Sequence, residues 1–391
     1  MNGIILIAAF VLAASATFVT NWLALIPWRR NRDKHWTEQA RLVYPVFVAA
    51  RSNLLFVPGI ITLAVWMMRA DSFPLWLFAG IFAMAGATAG TLFLSLEVFP
   101  RTSVPDLLRE AAADWLMRFL IWLIFIAAAV EMPDKFNLSA LGLGILVVLL
   151  WVLRASGGWV WLGKTIGLFV PAPERLINIV RKMSTMMNIP CRNVLLVRSS
   201  RSQAYALPDI RLLLFTRRLL ELSSDDEIRA ICAHELAHLT ESRAISYLRS
   251  IKTLAYLPWV FFNPLIHAAG FGAVWFLLFI SFVVPRIYSK VSRKLESRAD
   301  AMAKANEPDD GVYARALARL YEDNLAPAVT ARKLTHPHLY ERLLASGITP
   351  DFPRPKPAQT IAWNGIMFAG LGGIVLGMFA AHVIGYINGA N

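Results

Sequence analysis

The residues with the clearest capacity for chemistry are two histidines and the glutamate between them, in the stretch His234-Glu235-Leu236-Ala237-His238. On an α-helix, residues four apart lie on one face about one turn apart, so both imidazoles can reach one metal ion. Glu235 then stands beside the first ligand, where its carboxylate can accept a proton from water. This H-E-x-x-H pattern is typical of zinc-dependent peptide hydrolysis. The alternative is a surface helix that carries two histidines by chance.

A third ligand is expected because catalytic zinc sites take three protein ligands and leave a fourth position for water. Glu296 is the obvious choice, and Asp300 follows it one turn later on the same helical face. Metal-bound histidines commonly donate their other ring N–H to a carboxylate, which predicts a supporting role for Asp300. The alternative is an ordinary charged helix face, since basic residues between 293 and 298 could pair with these acids. The sequence therefore predicts one Zn²⁺ per chain, held by His234, His238 and Glu296.

The composition places the chain in a lipid bilayer. Of its 391 residues, 57% are hydrophobic and only 17% are charged, which is too apolar for a soluble domain of this size. The net charge of +13 comes from basic residues between apolar blocks, as the positive-inside rule requires, and not from a nucleic-acid-binding motif. Cys191 and Cys232 form no disulfide framework. We therefore expect a membrane partner and no nucleic acid.

The first 163 residues contain apolar stretches long enough to cross a bilayer, for which about 20 residues are needed. The predicted spans are Gly3–Trp28, Asn53–Met68, Phe73–Phe99, Trp115–Val130 and Leu138–Leu162. A cleaved signal peptide is the alternative for the first. The connections Arg29–Arg51 and Arg101–Asp114 are basic, whereas the other two are close to neutral. This alternation predicts that the N-terminus lies outside and the following domain on the cytoplasmic side.

From Lys164 the composition becomes that of a soluble domain. The pattern predicts an amphipathic helix, three short strands and a capping box that begins the H-E-x-x-H helix. These elements are Pro173–Asn188, Val194–Val197, Gln203–Leu207, Arg211–Thr216 and Ser224–Glu227. The edge of this small sheet could hold an extended peptide by strand addition, or the strands could only support the helix.

The apolar region between the two metal-binding segments predicts a hairpin through the membrane. We expect the H-E-x-x-H helix to continue past Thr240 into this region. A single crossing would place Glu296 on the opposite side from His238, whereas two spans of about 20 residues return the chain to its starting side. The turn is expected at Asn263-Pro264 or Gly270–Gly272.

The predicted domains are therefore a five-span membrane region, a two-part zinc protease domain interrupted by the hairpin, a linker and a last span. Their bounds are 1–163, 164–244 with 291–349, 245–290, 350–360 and 361–387.

With these residues in place, the chain resembles the integral-membrane zinc metallopeptidases that include the CAAX prenyl endopeptidases and the HtpX-type proteases. The resemblance covers Ser200–Leu344. Its motifs are Gln203-Ala204-Tyr205-Ala206, His234–His238, Glu296 with Asp300, Asp323–Leu325 and Thr335–Leu343. The last two motifs are more similar to the CAAX prenyl endopeptidase branch.

The resemblance implies a gluzincin-type domain in which the Gln203–Ala206 strand binds substrate. It also implies that His336 and Arg342 bind substrate backbone or the oxyanion. Gln203 stands where the family has Asn, and His338 where it has a second Pro. The stretch Ile361–Ile387 would add a span to the seven of that branch.

We expect a mostly α, multi-pass membrane protein of about seven or eight spans with a small α+β gluzincin-type zinc protease domain. The expected activity is hydrolysis of peptide bonds in prenylated or membrane-inserted peptide or protein substrates, with Glu235 as general base. The alternatives are an HtpX-like quality-control protease of misfolded membrane proteins and a catalytically silent membrane scaffold.

Overall fold

The computed structural model describes most of the chain and divides it into two compact units. The described residues are 2–68, 73–116, 124–125, 128–129, 131–153, 157–242, 244–245, 255, 257–331, 337–374 and 378. The first unit comprises Met1–Thr102, Tyr321–Arg332 and Asp351–Asn391. The second comprises Ser103–Leu320 and Lys333–Pro350, so it includes residues of the predicted fourth and fifth spans together with both parts of the predicted protease domain.

The predicted fold class is confirmed: the described chain is mostly helical and has one small sheet. Within the described residues, four helices are long and apolar enough to cross a membrane. They are Asn2–Ala24, Trp36–Met68, Leu75–Val98 and Gly272–Ala305. The chain is therefore a membrane protein by composition and helix length. The total of seven or eight spans stays a prediction.

The first unit is built around three long helices and a short one. They are α1 (Asn2–Ala24), α2 (Ile26–Arg29), α3 (Trp36–Met68) and α4 (Phe73–Val98). Helices α1 and α4 touch along a face of small residues. A Cβ atom at Gly86 would lie 2.1 Å from the carbonyl oxygen of Phe10, so only glycine permits this approach. Close backbone contact through small residues is how helices associate in lipid.

Helix α3 begins earlier than expected. The connection Arg29–Arg51 was predicted as a basic loop, but the helix already begins at Trp36 and includes Arg41. Val43 and Val46 bury against the core of this unit, and Arg41 forms an ion pair with Glu38 one turn before it. At 33 residues, α3 is about 50 Å long and so exceeds the hydrocarbon core of a bilayer.

Three buried asparagines join the C-terminal segment to helices α1 and α3 of the same unit. The side-chain nitrogen of Asn364 donates to Asn21 Oδ1 at 2.7 Å, and the side-chain nitrogen of Asn53 donates to the backbone oxygen of Asn364 at 3.1 Å. The chain is helical over 363–374 and at 378. The rest of the predicted span Ile361–Ile387 lies outside the described residues.

Among the described residues, the second unit begins with the helices α5 (Val104–Asp114), α6 (Leu138–Leu153) and α7 (Trp159–Thr165). Most of the predicted span Trp115–Val130 lies outside the described residues. The predicted span Leu138–Leu162 corresponds to α6 and the start of α7, with 154–156 undescribed.

The sheet of this unit has the strand order β1-β2-β4-β3. Its strands are β1 (Phe169–Pro171), β2 (Asn193–Val197), β3 (Ala204–Leu207) and β4 (Leu212–Thr216). Strands β2 and β4 run parallel, while β1 and β3 pair antiparallel to their neighbours. The three predicted strands are present, and β1 was missed because three residues are too few for an alternating pattern.

Strand β4 positions the helix that follows. All five of its residues are buried, and its side chains alternate between two cores. Leu213 and Phe215 pack with Leu176, Ile228 and Leu236 on one face. The opposite face meets α7 and β1. The helices on the first face are α8 (Glu174–Met186), α9 (Arg217–Leu222) and α10 (Asp225–His238).

Helix α10 has defined ends. At its start, the Ser224 hydroxyl accepts from Glu227 N–H and the Glu227 carboxylate accepts from Ser224 N–H, which is the predicted capping box. The expectation that the helix continues past Thr240 is wrong, because it ends at His238. The Thr240 hydroxyl donates to the Ala237 carbonyl at 2.7 Å and so occupies an acceptor of the last turn.

The chain then returns as one long helix. After a 3₁₀ turn at Leu257–Phe261 come α11 (Phe262–Ala269) and α12 (Phe271–Ala305). Gly270 between them has φ +56°, which favours glycine. Trp259 donates to Ser281 Oγ at 2.8 Å, so the chain reverses here. Most of the first arm of the predicted hairpin lies outside the described residues. The unit ends with α13 (Val312–Asp323), of which the first part belongs to it, and α14 (Leu339–Ala345).

Candidate metal centre

Helices α10 and α12 bring the three predicted metal ligands together. The Nε2 atoms of His234 and His238 lie 3.3 Å apart. Glu296 Oε2 is 3.6 Å from His234 Nε2, and Glu296 Oε1 is 3.7 Å from His238 Nε2. Glu296 follows His234 by 62 positions in the sequence, and the two side chains meet because α12 packs along α10.

These separations fit a metal ion. In a tetrahedral zinc site with bonds of about 2.0–2.2 Å, neighbouring ligand atoms lie about 3.3–3.6 Å apart. Two nitrogens and a carboxylate are also a donor set that zinc accepts. Among the described residues, His234, His238 and Glu296 form the group of metal-binding side chains with this convergence.

The outer nitrogen of His234 faces a network of three side chains. His234 Nδ1 lies 2.8 Å from the Tyr313 hydroxyl and 3.1 Å from Asp300 Oδ1. The Tyr313 hydroxyl donates to Asp300 Oδ1 at 2.7 Å. Arg342 Nη2 donates to the Tyr313 oxygen at 2.9 Å, and Arg342 Nε donates to Asp300 Oδ2 at 2.8 Å.

This network determines where the proton of His234 sits. Arg342 only donates, and an ionised Asp300 only accepts. Burial raises the pKa of Tyr313 well above its usual range, so its hydroxyl stays protonated and donates a hydrogen bond to Asp300. His234 Nδ1 therefore faces two acceptors and must carry hydrogen. The lone pair of a neutral His234 is then on Nε2, which faces Glu296 and His238.

His238 is oriented in the same way by a residue that the sequence analysis missed. His238 Nδ1 lies 2.8 Å from Glu241 Oε1, and the Glu241 side chain is only 3% exposed. The carboxylate accepts the Nδ1 hydrogen, which leaves Nε2 free for a metal. Each histidine thus has its own acidic partner.

The charges around His234 also favour a cation. Burial lowers the pKa of this imidazole. Hydrogen bonds to Asp300 and Glu296 and the nearby Glu235 carboxylate raise the pKa by more than burial lowers it, so that it is about 9. Carboxylates that attract a proton so strongly attract a divalent ion in the same position. His234, Glu235 and Glu296 are all buried, so solvent screens this attraction little.

Arg342 lies behind the ligands. Its side chain is 7% exposed. Its guanidinium donates two hydrogen bonds to Asp300, from Nε to Oδ2 and from Nη2 to Oδ1, the second at 2.5 Å. The nitrogens that make these contacts are committed to Asp300 and Tyr313. The second residue implied by the resemblance, His336, lies outside the described residues.

The predicted substrate strand is at the edge of the sheet. In β3, Ala204, Tyr205 and Ala206 pair with β4, and β3 is the last strand of the sheet that the described residues form. Gln203 extends this pairing, because its N–H donates to Thr216 Oγ1 at 2.9 Å and its oxygen accepts from Thr216 N–H. The Tyr205 hydroxyl donates to Gln203 Oε1. Strand β3 also packs against α10.

Two residues of the site were missed for different reasons. Glu241 follows His238 by three positions, a spacing that brings side chains together at a helix end, so a signal existed. Tyr313 is on a separate helix, and it is only 3% exposed. In the sequence it cannot be distinguished from a tyrosine that only packs in the core.

Comparison with known proteins connects this geometry to a family. Residues 172–346 match Peptidase family M48. The chain is 28% identical over 206 residues to a protein named CAAX prenyl protease 1 homolog from Oryza sativa subsp. japonica. It is 28% identical over 207 residues to a protein of the same name from Arabidopsis thaliana. Each match covers 45% of this chain and 48% of the relative, so the chain spans about half the length of these curated relatives.

Proposed function

We propose that this chain is a membrane-embedded zinc metalloendopeptidase of the CAAX prenyl protease type, because residues 172–346 match Peptidase family M48 and two CAAX prenyl protease 1 homologs are similar to it. The observation that carries the proposal is the convergence of His234, His238 and Glu296 beside the buried Glu235. Four apolar helices of spanning length support its place in a membrane. We further propose that the protease segments face the cytoplasm and that the N-terminus lies opposite.

The residues divide the chemistry between them. When bound by His234, His238 and Glu296, zinc supplies Lewis acidity that polarises a peptide carbonyl and acidifies water. Glu235 acts as general base, taking a proton from the attacking water and returning it to the leaving amine. Glu241 and Asp300 keep the imidazoles in the metal-binding tautomer.

Substrate binding is proposed at the open edge of β3. An extended peptide would continue the sheet along Gln203–Ala206 through main-chain hydrogen bonds. The position of β3 at the end of the described sheet and its packing against α10 support this placement.

Arg342 and His336 are assigned different roles. The contacts of Arg342 favour a positioning role through Asp300 over direct contact with substrate. His336 remains the candidate for stabilising the oxyanion, on the strength of the family resemblance alone.

The proposed substrates are membrane-associated peptides that carry a prenyl group. The support is the name of the two plant relatives, CAAX prenyl protease 1 homolog, together with the apolar helices of this chain. An HtpX-like protease of misfolded membrane proteins would instead cleave peptides without a lipid.

The proposal is tested with the full chain in lipid, by zinc quantification and by cleavage of one C-terminal peptide in prenylated and unmodified forms. Glu235→Gln should retain zinc and lose at least about 10²-fold in turnover, because the general base is removed. Glu296→Ala should lose both zinc and cleavage, because a ligand is removed.

Glu221→Gln, an exposed glutamate on α9, is the matched control and should leave zinc and turnover unchanged. Wild-type turnover by Glu235→Gln would end the catalytic assignment. Zinc at full stoichiometry in Glu296→Ala would remove Glu296 from the ligand set. Equal cleavage of the two peptides would contradict prenyl specificity and favour the HtpX-like alternative.

A further inference from the structure

A cavity in the second unit lies away from the metal ligands, between α7 and the sheet. Its volume is about 300 Å³. It is lined by Gly157, Val160, Trp161, Lys164, Asn193, Leu195, Ile210 and Leu212. None of these residues belongs to the candidate metal centre or to the proposed substrate strand.

The floor of the cavity is apolar. Val160, Leu195 and Leu212 are 7%, 5% and 4% exposed and belong to the core on this face of the sheet. Trp161 at the mouth is 69% exposed, so a large aromatic surface stands beside the opening. Such a cavity can take a flexible hydrocarbon chain but offers little to a fully polar ligand.

One basic residue lines the cavity and two more adjoin its lining in sequence. Lys164 lines it directly, and Arg192 and Arg211 adjoin the lining residues Asn193, Ile210 and Leu212 in sequence. Arg192 N–H donates to the Arg211 carbonyl at 2.9 Å, so the backbones of these two residues are adjacent beside the lining residues Asn193 and Leu212. All three are exposed, and within the described part of the chain none of them forms an ion pair. Asp209 is the one acidic residue among residues 208–212, so the three cations outnumber it.

The cavity is next to an apolar helix that ends nearby. Helix α6 exposes Leu149, Val152 and Leu153 by 59%, 46% and 61%. Gly157, which lines the cavity, follows its last residue by four positions. A tryptophan and a lysine just beyond an apolar helix are typical of the level at which lipid headgroups lie.

We propose that this cavity binds an anionic phospholipid, with part of an acyl chain against Val160, Leu195 and Leu212 and the phosphate near Lys164, Arg192 and Arg211. The apolar floor accounts for the chain, and the cations without acidic partners account for the negative headgroup. We expect binding to need both the acyl chain and the charged headgroup, whereas a free phosphate ion would need only the cations.

The test measures lipid bound to the full chain in neutral detergent by native mass spectrometry. Phosphatidylglycerol and phosphatidylcholine with the same acyl chains are offered at equal concentration. Wild type should retain phosphatidylglycerol in preference. The variant Lys164→Gln/Arg192→Gln/Arg211→Gln should bind it about tenfold more weakly or worse, since each basic group near a headgroup contributes several-fold.

A matched control removes three charges elsewhere in the same unit. Arg181→Gln/Lys182→Gln/Lys304→Gln changes exposed cations outside the cavity and should bind phosphatidylglycerol like wild type. Trp161→Ala tests the apolar half and should weaken binding of both lipids, leaving the preference for the anionic one.

Three results would overturn the proposal. One is equal retention of the two lipids by wild type, and another is equal loss in the cavity variant and its control. The third is displacement of phosphatidylglycerol by millimolar inorganic phosphate in a manner that depends on the three cations, which would assign the site to a free anion.

Discussion

The hydroxyl of Tyr313 has three partners, and each constrains the others. It accepts from Arg342, donates to Asp300 and faces His234 Nδ1. Its ring also stacks on the His234 imidazole, with centroids 5.7 Å apart and planes 20° apart. Tyr313 thus contacts the proposed metal ligand His234 by both its polar and its apolar atoms.

Tyr313→Phe keeps the ring and removes the hydroxyl. We expect zinc affinity to fall about tenfold, because such outer contacts typically contribute 10–100-fold and Asp300 still reaches His234 Nδ1. The measurement is competition for zinc with a chromophoric chelator. Tyr205→Phe removes a hydroxyl from β3 and should leave zinc affinity unchanged. Equal affinities of Tyr313→Phe and wild type would show that Asp300 alone orients His234.

At this scale, spacing predicted residues that share one helix face, such as His234 with His238 and Glu296 with Asp300. It did not predict the partner of His234 on another helix, because contact between helices depends on packing that sequence spacing does not encode. The contact of Arg342 with Asp300, 42 positions away, was not predicted for the same reason, and the role of Arg342 stays a proposal.

At the scale of elements, the start of the metal-binding helix is held by its capping box. Ser224→Ala should lower the free energy of unfolding by about 1 kcal/mol, because an N–H of the first turn loses its acceptor. Denaturant unfolding of the full chain in detergent, with zinc present, measures the change. Ser297→Ala, whose exposed hydroxyl donates only to the Arg293 carbonyl of its own helix, should change stability by less than about 0.5 kcal/mol. A loss in Ser297→Ala as large as that in Ser224→Ala would contradict this account.

The contact of α1 with α4 makes a second prediction. Gly86→Ala should destabilise the first unit, because its Cβ would lie 2.1 Å from the Phe10 carbonyl oxygen and the helices must separate. Gly142→Ala on α6 is the matched control, since its Cβ meets nothing within 4 Å. There the higher helix propensity of alanine should leave stability unchanged or raise it by up to about 1 kcal/mol. Thermal midpoints in detergent compare the two, and equal midpoints would argue against close contact at Gly86.

Elements were predictable where the pattern was long or had a clear signal. The edge strand β3 and the capping box follow from alternation and from Ser224 with Glu227. The end of α10 at His238 was not predicted, because the apolar sequence after Thr240 also fits a continuing helix. The first part of α3, from Trp36 to Ser52 and about five turns long, was missed because charged residues such as Arg41 hide a helix from a search for apolar spans.

At the scale of the molecule, the metal site joins two helices that are distant in sequence. Removing the metal should lower the thermal midpoint of the wild-type chain, because zinc bound only by the folded state stabilises it by mass action. The fall on adding chelator should be much smaller for Glu296→Ala, which begins without the ion. Equal falls would assign the effect to the chelator itself. Differential scanning fluorimetry in lipid or detergent measures the midpoints.

Helix α12 has a further consequence. Its first half exposes Trp275, Phe279 and Phe282 by 71%, 64% and 58%, and its second half carries Glu296 and Asp300. At 1.5 Å per residue, Glu296 is about 32 Å along the axis from Trp275. A tilt of roughly 5° about Trp275 would therefore shift Glu296 by about 3 Å, close to one ligand-to-ligand distance.

Helices adjust their tilt to the thickness of the surrounding bilayer. The lever arm of α12 would turn that adjustment into a displacement of a zinc ligand. Zinc affinity measured in bilayers of increasing acyl length should therefore pass through an optimum, and a flat profile would show that neighbouring helices hold α12 fixed. Bilayer thickness would then set the distance between the Glu296 carboxylate and the two histidines.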